Sequence, residues 1–534
     1  VQPLLDNFRL ATRAGSYRRN PLYFLGFLAI FVFAARELAD YIINDDMNGL
    51  AYVALILIVG TSVVAILNSW RSGVYFFLTW LLFEDFARKF LGNNMAIYFA
   101  KDFLLLVVYI SFLAAYRRKE LTVFRPPFWI PVLIFMWFGV MQIFNPASTS
   151  IWYGLMGVKI FFYYVPLMFV GYALFDSEHD LRRFFFINLS LTVAIVSLGI
   201  AQSIIGPTFL NPAHQADDLK LLSGLYRVSP LTGQIAYRPT STFVSAGRYA
   251  DFIIVAWLLI LGFGGYLLLR QKKGRLLVIL VVAGVAAGAF LTASRGVFMW
   301  TIINGISTSA AFIWGAPWRQ GEALRAVRAV QRAAIGVGFG IVMLFFAFPD
   351  ALLSRLAVYQ ETLDPNSSSS ELGFRIWYYP WQNFMGAFDS GHWSFGYGIG
   401  TTALGGQYVA RFFKVVPPTS GVESGFGTLV VEMGIGGLVL WLIMAFSILF
   451  AGWNLIKKLR GSPLFPVGFV MFWYALVLLL PLTFAGMQPY EDFLLNAYFW
   501  LMLGILFRLP SIKLATLPAA GSVASLQTQR SEFR

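Results

Sequence analysis

The chain has 534 residues, of which 58% are hydrophobic, 17% aromatic and only 12% charged. Soluble proteins carry roughly twice that charged fraction, about 25%, so the composition excludes a soluble enzyme and points to a membrane. Its 40 basic and 26 acidic residues leave +14, which in a soluble chain would suggest nucleic acid and in a membrane chain makes the placement of the charges the question. Without cysteine, and with only His179, His214 and His392, it has no disulfide framework, no thiolate nucleophile and little material for a metal site.

Apolar runs near the ~20 residues that cross a bilayer recur about fourteen times. In chain order they are Leu22 to Tyr41, Leu50 to Leu67, Val74 to Phe83 with a polar extension, Met95 to Ala115, Pro127 to Phe144, Ile151 to Phe175 and Phe184 to Ile205. The second half adds Tyr249 to Leu269, Leu276 to Leu291, Val297 to Trp314, Ile335 to Phe348, Gly425 to Phe450, Leu464 to Leu482 and Phe493 to Phe507. The expected fold is all-α and polytopic. Residues 1–205 form an N-terminal bundle, 206–248 an outer loop, 249–348 central helices, 349–424 a large outer loop, 425–508 C-terminal helices and 509–534 a disordered tail.

The basic start, Arg9, Arg13, Arg18 and Arg19, leads into a full-length span with no small-residue cleavage site, which predicts no cleavable signal peptide. Placing that start in the cytoplasm puts the compact basic clusters on the same side. Among them are Arg117, Arg118, Lys119 and Arg125; Arg270, Lys272, Lys273 and Arg275; and Lys457, Lys458 and Arg460. Both termini are then cytoplasmic, and 321–334, with Arg325, Arg328 and Arg332 at helical spacing, reads as an interfacial helix.

A minority of basic residues falls on the outer side. Long loops are exempt from the charge rule, which accounts for Lys220, Arg227, Arg238, Arg355, Arg411 and Lys414. Arg295 sits in the tight turn Thr292-Ala293-Ser294-Arg295-Gly296 without that excuse, and Arg248 precedes Asp251 at the start of a span. Arg375 is the one cation in the aromatic segment Glu371 to Phe388, which reads as a short amphipathic helix on the membrane. Lys101, Asp102, Lys159, Asp251, Glu432 and the cluster Glu84, Asp85, Arg88 and Lys89 fall in the outer parts of spans, where charges face a cavity or a partner. Local pairs such as Lys101 with Asp102, or Arg248 with Asp251, are the plain structural explanation. The turn Gly396-Tyr397-Gly398-Ile399-Gly400 suits a close approach of backbone amides to a ligand.

Three stretches resemble the bacterial O-antigen ligase and polysaccharide polymerase family. Arg238-Pro239-Thr240-Ser241-Thr242-Phe243, running into a span after Arg248, is similar to the family's outer arginine with a small-residue and phenylalanine stretch. Leu291-Thr292-Ala293-Ser294-Arg295-Gly296 is similar to its serine-arginine-glycine turn. Arg375-Ile376-Trp377, the glycine-rich turn, Glu423-Ser424 and Glu432-Met433-Gly434-Ile435-Gly436-Gly437 resemble its long loop and exit. Many members have a histidine-asparagine pair where this chain has Glu423-Ser424. The resemblance covers roughly Arg238 to Gly437.

It implies a GT-C-like membrane glycosyltransferase in the bacterial inner membrane, moving a glycan from a polyprenyl diphosphate carrier on the periplasmic face. The diphosphate leaving group needs cationic stabilisation, and arginine's planar fork suits it. Arg295 and Arg375 are the expected catalytic cations, with Glu423 as general base in an inverting displacement. Arg238, Arg248, Gly396, Gly398 and Ser424 are expected to bind substrate. No cofactor or metal is expected; a metal alternative rests on Asp45-Asp46, more simply a solvated turn. The expected partners are the polyprenyl-diphosphate-linked oligosaccharide, membrane lipid and other polysaccharide assembly and export proteins, with no nucleic acid. An exopolysaccharide or O-antigen polymerase is favoured over a ligase acting on lipid A core or protein. A transporter would show inverted repeats or charges lining a path across the bilayer, and here the charges gather near one face.

Overall fold

Apolar segments that enter a bilayer must satisfy their own backbone groups, so they form helices. The computed structural model describes residues 59–91, 95–211, 225–228, 233, 235–270, 274–317, single positions between 328 and 346, 348–363, 377–403, 405–486 and 488–514. Helices dominate these residues, with one two-stranded hairpin. Eight described helices are long and apolar enough to cross a membrane by length and composition, and three more are apolar but shorter. Their outward faces expose Trp137 at 68%, Ile313 at 70% and Phe450 at 71%, a surface suited to lipid and not to water. The chain is an all-α multi-pass membrane protein.

Two compact units divide it, residues 1–73 and 74–534. The described part of the first is helix α1 (Val59–Asn68) and the first turn of α2 (Trp70–Leu91). The expected span Leu22 to Tyr41, the Asp45-Asp46 pair, most of the 321–334 helix, most of Ile335 to Phe348 and the tail from 515 lie outside the described residues.

In the second unit follow α3 (Met95–Arg117), α4 (Trp129–Met141), α5 (Ile151–Phe162), α6 (Leu167–Leu174) and α7 (Glu178–Ile205). The hairpin β1 (Tyr226–Val228) and β2 (Ile235–Tyr237) pairs Tyr226 with Tyr237 antiparallel. Then come α8 (Ala246–Arg270), α9 (Arg275–Leu291), α10 (Arg295–Gly315), α11 (Pro349–Leu363), α12 (Tyr379–Gly386), α13 (Gly406–Phe413), α14 (Gly425–Leu459), α15 (Phe465–Val477) and α16 (Phe493–Arg508).

Where boundaries differ from the sequence reading, a local cause is visible. The single run Ile151 to Phe175 is two helices, because Pro166 lacks an amide hydrogen and caps α6. Helix α7 starts earlier than Phe184, because Ser177 and Asp180 form a capping box. That extra turn buries Glu178, which accepts from Arg270 Nη2 at 2.7 Å and from the Tyr266 hydroxyl. The amphipathic segment expected over Glu371 to Phe388 is helical over Tyr379–Gly386, extended by a 3-10 turn Ala387–Asp389.

Helix α8 is the centre of the bundle, packed against α7, α9, α10 and α15. Beside it α16 lies against α6 so closely that a Cβ on Gly504 would stand 2.0 Å from the Met168 carbonyl oxygen. Small residues allow this approach of helix backbones. The bundle has two ends. Arg270 with Glu178 and Arg508 with Asp176 mark one; Arg248 marks the other, to which the α9 to α10 turn also returns.

Candidate functional site

At the Arg248 end the strap 238–245 is bound from two sides. The amides of Thr240 and Ser241 both donate to Gln202 Oε1, at 2.8 and 2.7 Å. From α2, Lys89 Nζ donates to Thr240 Oγ1 and to the Ser241 carbonyl oxygen, each at 2.7 Å. Phe243 is buried against Tyr249 and Phe252. The small residues are therefore needed for packing: they bring the backbone against α2 and α7, where Gln202 and Lys89 meet it.

Beside the strap lies a buried charge network. Asp85 accepts from Arg88 Nη1 at 3.0 Å and from Arg248 Nη1 at 2.8 Å, while Arg248 Nε lies 3.2 Å from Asp492 Oδ2. Lys101 pairs with Glu84 at 3.0 Å, and Lys159 with Asp102 at 2.6 Å. Lys101 and Arg248 both stand 4.4 Å from the centre of the Phe493 ring. Local pairing is thus replaced by pairing between helices: Lys101 takes Glu84 and not Asp102, and Arg248 takes Asp85 and Asp492 and not Asp251. Sequence reasoning missed Asp492, although a residue of its type directly before an apolar run is an N-cap signal; here it accepts from the amides of Leu494 and Leu495.

Next to this network a polar cavity of about 270 Å³ is lined by Arg88, Tyr98, Arg248, Asp251, Tyr408 and Asp492 among others.

A second cluster forms where the hairpin, the α9 to α10 turn and α11 meet. Arg355 donates through Nε to the Leu291 carbonyl at 2.9 Å and through Nη2 to the Tyr237 carbonyl at 2.9 Å. Ala236, Ala293 and Val358 form a small core there. The Tyr359 hydroxyl donates to the Phe290 carbonyl at 2.7 Å, and Arg227, Arg238 and Arg355 all bear electrostatically on it. Arg295 opens α10 beside this corner and is buried. Arg238 has a buried Nε without a partner, and among the described residues its guanidinium makes no hydrogen bond or ion pair. Burial holds that guanidinium below its ordinary pKa, opposed only by Tyr359. Arg355 and Tyr359 had no motif in the sequence; only the fold brings them to Arg238.

The glycine-rich turn is held by α14. Gly396, Gly398 and Gly400 have positive φ. The amide of Gly396 donates to the His392 carbonyl at 2.6 Å, that of Gly398 to the Glu432 carbonyl at 2.9 Å, and that of Gly400 to Glu432 Oε2 at 2.8 Å. Glu432 Oε1 accepts from the Thr402 amide and hydroxyl, each at 2.8 Å. A Cβ on Gly396 would meet the Glu432 carbonyl at 2.3 Å, so glycine is required for the turn to lie on α14 at its Gly434 kink. These amides are spent inside the protein.

Ser424 caps α14 and its hydroxyl donates to the Phe484 carbonyl at 2.9 Å. Glu423 is exposed beside it, its amide donating to Asn383 Oδ1 at 3.3 Å. Among the described residues no hydrogen bond or ion pair joins Glu423 to either arginine cluster. Arg375 lies outside the described residues. No known family model matches the chain, and no curated protein is significantly similar to it.

Proposed function

We propose that the chain is a GT-C-like membrane glycosyltransferase of about fourteen spans that polymerises polyprenyl-diphosphate-linked oligosaccharide repeat units on the periplasmic face of a bacterial inner membrane. The observation that carries this reading is the arginine corner: Arg238, without a protein partner among the described residues, stands with Arg227 and Arg355 about Tyr359. A partly buried guanidinium is costly unless an anion meets it. At a membrane surface a lipid-linked diphosphate is such an anion, and arginine binds its oxygens as a fork without losing its proton.

In the transfer, an acceptor hydroxyl oxygen attacks the anomeric carbon of the donor sugar. The bond from that carbon to the diphosphate oxygen breaks, and the diphosphate leaves with the electron pair. Arg238, with Arg295 and Arg375, stabilises the charge that develops. The hydroxyl proton passes to the Glu423 carboxylate, in one inverting step without metal.

The test is transfer from purified lipid-linked repeat units by the full chain in nanodiscs, with and without lipid A core as a competing acceptor. Longer lipid-linked chains are expected, falling by about 100-fold or more in Arg238→Gln. Products unchanged in that variant would overturn the role of the corner; glycan delivered to lipid A core would make the protein a ligase.

A further inference from the structure

The polar cavity beside the charge network has a distinctive set of side chains. Its two arginines are already neutralised: Arg248 by Asp85 and Asp492, and Arg88 by Asp85, with a further bond from Arg88 Nη2 to the Tyr408 hydroxyl at 3.3 Å. Three lining groups are left over. Asp251, Tyr98 and Gln407 make no side-chain hydrogen bond or ion pair among the described residues. Together they offer a carboxylate, a phenol and a carboxamide, a mixed set of donors and acceptors. The Tyr98 and Tyr408 rings stand 5.2 Å apart, tilted by 41°, and Lys101, Lys159 and Arg88 lie over the Tyr98 ring.

We propose that this cavity binds one neutral sugar ring, with Asp251 accepting from its hydroxyls. An anion would face Asp251 and Asp492 and would have to displace carboxylates from both arginines. A simple cation would stand close to two guanidinium groups. A polyol gives and accepts at every group: its hydroxyls donate to Asp251 and accept from Gln407 and Tyr98. The volume of about 270 Å³ is far above the ~10–15 Å³ that admits one water. Asp251 stands one helical turn after Arg248 on α8, so the fixed charge network sets the wall from which it projects. The assignment rests on the glycan-transfer reading for its biological meaning, and its binding test stands alone.

The experiment is saturation-transfer NMR on the full chain in nanodiscs with glucose, galactose, mannose and N-acetylglucosamine, one at a time, and glycerol as reference. At least one sugar is expected to show saturation above glycerol, reduced at least fivefold in Asp251→Asn. That variant breaks no side-chain hydrogen bond or ion pair among the described residues, so its elution profile and circular dichroism should match the parent; Tyr98→Phe gives an independent check with a smaller loss. No sugar above glycerol, or equal saturation in Asp251→Asn, would overturn the assignment. A sodium-dependent rise in melting temperature that Asp251→Asn abolishes, with no sugar bound, would overturn it in favour of a cation site. Sugar saturation without transfer from any lipid-linked donor would overturn the glycosyltransferase reading and leave the sugar site; transfer without sugar saturation would do the reverse.

Discussion

Replacing Glu432 by glutamine isolates what the buried carboxylate does for the glycine-rich turn. The carboxylate accepts three bonds at 2.8 Å, from the Gly400 amide and from the Thr402 amide and hydroxyl, and the Ala403 amide also bonds to it. Glutamine keeps one carbonyl oxygen, which serves Thr402 best because it takes two of the three. Its amino group then faces the Gly400 amide, leaving a buried donor unsatisfied at a cost of about 1–3 kcal/mol. The two surviving bonds change from charged to neutral, each losing about 0.5–1 kcal/mol. A loss of about 2 to 5 kcal/mol follows, and even the lower figure corresponds to roughly 25-fold in the local opening equilibrium. Hydrogen exchange of a peptide covering 396–404, in nanodiscs, reads this directly. Exchange there should accelerate at least 25-fold, while a peptide within α8 stays unchanged. Protection of Gly400 and Thr402 within twofold of the parent would refute the reasoning.

Arg248→Gln should lower the thermal midpoint clearly, since it leaves Asp85 and Asp492 buried with one counter-charge fewer, at about 3–5 kcal/mol; Arg238→Gln, which breaks no contact among the described residues, should leave it unchanged, and equal losses in a fluorescence melt would contradict that distinction. Gly504→Ala should prevent stable accumulation, because its Cβ meets the Met168 carbonyl at 2.0 Å, whereas Gly284→Ala, with nothing within 4 Å, should be recovered in parental yield. Transfer by the purified chain is expected to persist in EDTA; activity abolished by the chelator and restored by a divalent cation would sink the arginine-only account of the leaving group.

Helices were the most legible part of the sequence, because a bilayer-length apolar run has one way to satisfy its backbone. Met95 to Ala115, Leu276 to Leu291 and Phe493 to Phe507 differ from the observed α3, α9 and α16 by a residue or two. Less legible was whatever a single polar side chain decides. The early start of α7 depends on Ser177 and Asp180, and the break between α5 and α6 on Pro166; both sit inside or beside apolar stretches that dominate a hydropathy reading. The hairpin of β1 and β2 was hidden in a loop too short in strand residues to show alternation. Pairing partners were illegible for a different reason. Asp85 and Arg248 are far apart in the chain, and sequence proximity favoured Asp251, which the fold leaves unpaired.

The arginines at the Arg248 end therefore belong to two physical classes, although sequence position makes them look alike. Arg88 and Arg248 answer carboxylates on neighbouring helices, with Arg248 also stacked over Phe493, and their positive charge is neutralised within the bundle. Arg355 donates to two backbone carbonyls, which are neutral, and so ties the hairpin to the α9 to α10 turn. Arg238, one residue beyond the Tyr237 carbonyl that Arg355 holds, adds a charge whose guanidinium makes no hydrogen bond or ion pair among the described residues. Both guanidinium groups bear electrostatically on Tyr359, so positive potential gathers at that corner. An anion entering beside Arg238 displaces no carboxylate from it, which the Arg248 network does not offer.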